Sequence, residues 1–190
     1  MGHQEKEVER DADGLVVQNY QSVVLVVLPA QGFGEQILRY ARSSLYNVHV
    51  GTWSVSTVTE EFVKGRLQDE FLVDGPLSDA RMESHSGILL AGSEGECRLA
   101  TDDRVLELVR AAAREGKLIG AWGNACAVLA GAGVVSGRRV TGSADTAELL
   151  RRAGAKFTGR EIEVSGNIVT ARDESAGMRF GKALAELVRI

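Results

Sequence analysis

Few residues in this chain could do covalent chemistry. There are two cysteines, Cys97 and Cys126, and three histidines, His3, His49 and His85. The stretch that most suggests a reactive site is residues 116–141, GKLIGAWGNACAVLAGAGVVSGRRVT. Its apolar run Leu118–Trp122 has the length of a buried strand. Gly123-Asn124-Ala125 reads as a sharp turn, and residues 126–132 read as a helix stopped by Gly133. Strand, tight turn and helix make a nucleophile elbow, where a reactive side chain stands on a strained turn beside helix amides. The residue at the apex is Gly123, which has no side chain. The geometry predicts positive φ there, a conformation that costs a Cβ-bearing residue about 1–3 kcal/mol and glycine far less.

A cysteine hydrolase needs a thiolate, a base and a group to orient the base. Cys126 lies three residues beyond the apex, in the first turn of the elbow helix. Helix N-termini lower thiol pKa. Against that, three residues of helix turn the side chain away from the apex, and a free cysteine usually packs as a small hydrophobe. Cys97 reads as the more exposed thiol, and a Cys97–Cys126 redox pair would require two loops to meet. His3 falls in a polar leader, His49 within a strand and His85 just before one, and no spacing fits zinc or iron. Glu35 opens a helix, where a carboxylate either serves the elbow or simply faces the helix dipole. Neither a phosphate loop nor a dinucleotide fingerprint is present, so no cofactor is expected. With the apex empty, the amides of Asn124 and Ala125 predict a small anionic ligand. No Lys or Arg can be assigned to the pocket, so its affinity should be weak.

The elements that would position these residues alternate along the chain. Residues 23–28 are six consecutive aliphatics, the signature of a parallel strand buried on both faces. A helix follows with Ile37, Leu38, Ala41 and Leu45 at helical spacing. Residues 48–53 suggest a second strand, and residues 55–74 a β-hairpin or a bulged crossover around Gly65, with Thr57-Val58-Thr59 and Phe71-Leu72-Val73 as its strand-like pieces. Residues 88–91 suggest a third parallel strand. Thr101 reads as the N-cap of a helix that Gly116 ends. Residues 139–141 form a short strand, and Ser143 caps a helix carrying Leu149 and Leu150. Ser165-Gly166-Asn167 turns a hairpin. The last helix, residues 175–188, is expected to bury Met178, Phe180, Leu184 and Leu187. Strands alternating with helices predict a doubly wound α/β/α sandwich with a mostly parallel central sheet.

The 190 residues suit one domain, 21–190, behind a flexible leader, 1–20. A net charge of −4 lacks the basic footprint of a nucleic-acid binder. The longest apolar run is too short to cross a bilayer, and the charged N-terminus is unlike a signal peptide. Two cysteines fit a reducing compartment, so cytoplasm is the expectation.

The stretch 116–141 resembles the ThiJ/PfpI superfamily, whose fold is like that of class I glutamine amidotransferases and flavodoxin. The family's elbow reads G-K-P-x-A-A-I-C-H-G-P, followed by a helix and then A-G-x-x-x-G-R-x-x-T. Gly116, Lys117, Ala132, Gly133, Gly137, Arg138 and Thr141 reproduce its frame without a gap. Gly123 stands where the family has its nucleophilic Cys, and Asn124 where it has the following His. The family's acidic loop G-F-E-D-x-E meets Gly32, Phe33, Gly34, Glu35 and Ile37 here, so Glu35 takes the place of the middle acid. Residues 166–172, GNIVTAR, resemble the family's G-N-x-x-T-S-R, with Ala171 in place of its Ser. The resemblance covers residues 22–188. It implies an oxyanion hole from backbone donors at Gly92 and Ser93 together with the elbow, and it implies a homodimer. Two functions follow. One is a family member that has lost its nucleophile and works by binding or assembly. The other is a peptidase, glyoxalase or deglycase that uses Cys126.

Overall fold

The computed structural model describes residues 20–92 and 97–188. The leader, including Leu15-Val16-Val17 and His3, lies outside the described residues up to Tyr20, whose ring stacks on Tyr46 at 5.6 Å. Ser93 also lies outside them.

The aliphatic run becomes β1 (Ser22–Leu28), followed by β2 (Gln31–Phe33), α1 (Glu35–Tyr46) and β3 (Val50–Ser56). Next come β4 (Phe62–Gly65), β5 (Glu70–Leu72), β6 (Gly75–Pro76), β7 (Gly87–Leu90) and α2 (Asp103–Arg114). The elbow joins β8 (Leu118–Trp122) to α3 (Cys126–Gly131). Then follow β9 (Arg139–Val140), α4 (Ala147–Arg152), β10 (Lys156–Phe157), β11 (Ile162–Ser165), β12 (Ile168–Ala171) and α5 (Gly177–Leu187).

The main sheet has the order β11-β12-β8-β7-β1-β3-β6. Every pairing in it is parallel except β11 with β12. Side chains alternate across β1, so its two faces serve two cores. Leu25 and Val27 pack with Val105, Val109, Val128 and Leu150 from α2, α3 and α4. Val24, Val26 and Leu28 pack with Ile37, Leu38 and Phe180 from α1 and α5. The expected α/β/α sandwich is the observed fold. Its β1–β7–β8–β12 ladder sends four strand ends to one rim, where ligands of parallel sheets bind.

Several local expectations shift. The hairpin predicted within 55–74 exists, but its strands are β4 and β5, so Thr57-Val58-Thr59 is not one of them. His49 is not in a strand. It sits before β3 with φ 61°, in the left-handed region. Asp102, not Thr101, caps α2, accepting from the amides of Arg104 and Val105 at 2.9 and 3.1 Å. Thr101 belongs to the 3-10 turn before it. Ser143 precedes a 3-10 turn but makes no side-chain cap bond. Instead Thr146 Oγ1 donates to the Ser143 carbonyl at 2.8 Å. Met178 is 68% exposed rather than buried, and Leu149 faces out as well. Both fall just after 3-10 turns, which advance the chain by more than α-helical rotation per residue and change the phase of the buried face.

Candidate functional site

At the elbow, β8 ends at Trp122 and residues Gly123–Ala125 form one 3-10 turn leading into α3. Gly123 has φ 58°, as the elbow geometry predicts. A Cβ built there would meet nothing within 4 Å, so the apex opens onto empty space. Gly92, at the end of β7, comes close to this turn. A Cβ on Gly92 would collide with the Trp122 carbonyl and stand 3.3 Å from the Asn124 nitrogen. The Gly92 carbonyl accepts from the Gly34 amide at 3.2 Å, and the Gly123 carbonyl accepts from the Ser143 amide at 3.2 Å. Gly34, Gly92, Gly123, Asn124 and Ser143 therefore gather from four segments. They line a cavity of about 490 Å³ at the carboxyl ends of the strands.

The charged walls of that cavity come from distant parts of the chain. Arg66 lies in the β4–β5 turn, Asp145 follows β9, and Arg172, Asp173 and Glu174 follow β12. Three carboxylates thus face two guanidinium groups. Arg66 Nη2 pairs with Glu174 Oε2 at 3.2 Å. Arg172 Nε donates to Asp173 Oδ2 at 2.8 Å. Asp173 Oδ1 accepts from the Ser175 amide at 2.9 Å and from the Ser175 hydroxyl. The Ser175 hydroxyl bond, with Arg172 beside it, holds the Asp173 carboxyl below the usual range despite some desolvation. The same pairing raises Arg172. Arg66 and Arg172, which the sequence alone could not assign to the pocket, line it. The α3 helix has only six residues and therefore contributes a small dipole at the elbow.

Glu174 leans on Gly34. A Cβ on Gly34 would lie 2.6 Å from Glu174 Cγ and 2.7 Å from its Oε1. Glycine at 34 is what lets a carboxylate from the far end of the chain enter the pocket wall.

The sequence-derived candidates divide sharply. Gly123, Asn124 and Gly92 line the cavity, with Ala125 buried behind the turn. Glu35 does not line it. At 2% exposure, its two oxygens accept from the Leu67 amide at 2.9 Å, and Oε1 also accepts from the Asp69 amide at 3.1 Å. It therefore anchors the β4–β5 turn, a role neither of its expected readings contained. Cys126 is 0% exposed, with Sγ 3.9 Å from the Ala171 carbonyl. Burial, with Cys97 nearby, pushes its thiol well above the ordinary range. Cys97 is partly rather than fully exposed, its thiol is also raised by burial, and both cysteines are free. His85 is a packed residue. Its ring stacks on Trp53 at 5.5 Å, and Nδ1 lies 2.7 Å from the Arg81 carbonyl. Among the described residues no group of three or more His, Cys, Asp or Glu could hold a metal, and no helix is long and apolar enough to cross a membrane.

The charged wall was missed because its members share no local pattern. The one forewarning was the stretch 166–172, which ends in Arg172.

The model of the DJ-1/PfpI family matches residues 22–187. Over 161 residues the chain is 27% identical to the uncharacterized protein MJ0967 of Methanocaldococcus jannaschii, covering 83% of this chain and 78% of that one. Over 127 residues it is 26% identical to the deglycase PfpI of Pyrococcus furiosus, covering 67% and 74% respectively. The crystal structure of a ThiJ/PfpI domain protein from Brachyspira murdochii superposes with a TM-score of 0.83 at 20% identity, over 90% of this chain and 98% of that one. That last likeness speaks for the fold alone.

Proposed function

The chain belongs to the DJ-1/PfpI family, and from that premise we propose that its elbow pocket binds a small molecule without cysteine chemistry. The observation that carries this reading is Gly123 at the apex, in the left-handed conformation, with open space where a nucleophile's side chain would stand. The competing hydrolase or deglycase reading needs Cys126 as a thiolate. A fully buried thiol with a raised pKa is a poor nucleophile. The name of the Pyrococcus furiosus relative is therefore not carried over to this chain.

Turnover tests the reading directly. The purified protein should not consume methylglyoxal or cleave a peptide substrate. Turnover that disappears in Cys126→Ala would overturn the proposal. The family resemblance extends the reading to a homodimer working in the cytoplasm. Sedimentation of a 20.3 kDa monomer at micromolar concentration would remove the dimer.

A further inference from the structure

The pocket's charges are arranged for a ligand carrying both signs. Arg66 is already paired with Glu174. Arg172 uses only Nε on Asp173, and its two terminal nitrogens have no hydrogen-bond or ion-pair partner among the described residues. A guanidinium held at Nε presents a flat two-donor edge, which suits a carboxylate. On the same cavity, the Asp145 carboxylate has no hydrogen-bond or ion-pair partner among the described residues. One further polar atom points to an occupant. Ser143 also lines the cavity, and its Oγ is buried without a hydrogen-bond partner among the described residues. Buried polar groups are nearly always satisfied, so such an atom beside a cavity marks a place where a ligand or water completes the bonding. The excess of carboxylates over guanidiniums disfavours a simple anion, while the open fork of Arg172 disfavours a simple amine.

We propose that the pocket takes a small zwitterion, its carboxylate on the Arg172 fork and its ammonium on Asp145 with the Ser143 hydroxyl. The volume of about 490 Å³ lies in the range of small-molecule sites, generous for a free amino acid and sufficient for a longer ω-amino acid. This assignment rests on the binding reading given above.

The test is amide shift titration by NMR on the full chain. Glycine, 4-aminobutyrate and 6-aminohexanoate span three charge separations. Each is compared with the carboxylic acid and the primary amine of the same chain length. At least one zwitterion should shift the Gly92, Gly123 and Ser143 resonances and bind about tenfold tighter than both of its single-charge partners. Asp145→Asn should reduce it to the affinity of the acid, and Arg172→Gln to that of the amine. If an acid or an amine binds the pocket and no zwitterion exceeds it, the zwitterion is refuted while the binding reading stands. If none of the compounds shifts these resonances at millimolar concentration, the zwitterion is refuted too. The binding reading itself falls on separate grounds, if Cys126-dependent turnover is found.

Discussion

Replacing Gly123 by Cys restores a thiol to the apex and measures what the elbow costs. Two terms set the magnitude. The left-handed conformation at φ 58° penalises an L-residue by about 1–2 kcal/mol. Losing glycine's freedom in the unfolded chain returns about 0.4–1 kcal/mol. Packing adds little, because the new Cβ meets nothing within 4 Å. The net expectation is a destabilisation of about 1 kcal/mol, read as a lower urea midpoint at unchanged m. Titration with a chromogenic disulfide supplies an independent readout. The new thiol should react quickly and stoichiometrically in the folded state, while Cys126 stays silent. A variant more stable than the parent would mean that position 123 is not strained. A loss above about 3 kcal/mol would mean that the apex is crowded rather than open. Either result would remove the argument that a side chain is missing from a site still shaped for one.

Cys126→Ser should destabilise the fold by about 1–3 kcal/mol, because the hydroxyl enters a fully buried position where the sulfur's contact with the Ala171 carbonyl is a long 3.9 Å; thermal unfolding reads it. Glu35→Ala removes the acceptor of the Leu67 and Asp69 amides and should cost about 2–3 kcal/mol, with faster hydrogen exchange confined to the β4–β5 turn. Asp173 has a folded-state pKa below its unfolded one, so its contribution is present above about pH 4 and is lost as pH falls through the depressed value. Asp173→Asn should therefore flatten the acid limb of the stability profile, by under about 1 kcal/mol because the side chain is half exposed. Urea titrations at several pH values check it.

The parts legible in the sequence are those that short-range physics dictates. The aliphatic run of β1 admits only a doubly buried strand, and Gly116 and Gly133 end helices at φ 66° and 74°. The elbow was readable because strand, turn and helix are contiguous. The charged wall was not. Arg66, Asp145 and Arg172 follow strands of three different sheets and share a cavity only once those sheets have come together, and no spacing in the chain encodes that meeting. Glu35 shows the same limit at short range. Its place at the start of α1 was plain, but its partners lie about thirty residues away, beyond a hairpin whose strands were misplaced. Met178 illustrates a third cause, since one 3-10 turn is enough to rotate a helix's buried face.

The contact between Gly34 and Glu174 has a consequence for how the family's sequences can drift. The two positions are far apart in the chain yet compete for one volume. A side chain gained at 34 must displace the long acid at 174, and shortening 174 leaves room that a residue at 34 could fill. Substitutions at the two sites should therefore be inherited together. Among relatives, a bulky residue at the first position should be accompanied by a short one at the second. Homologues combining a side chain at 34 with a long acid at 174 should be rare, and should have opened the mouth of the pocket.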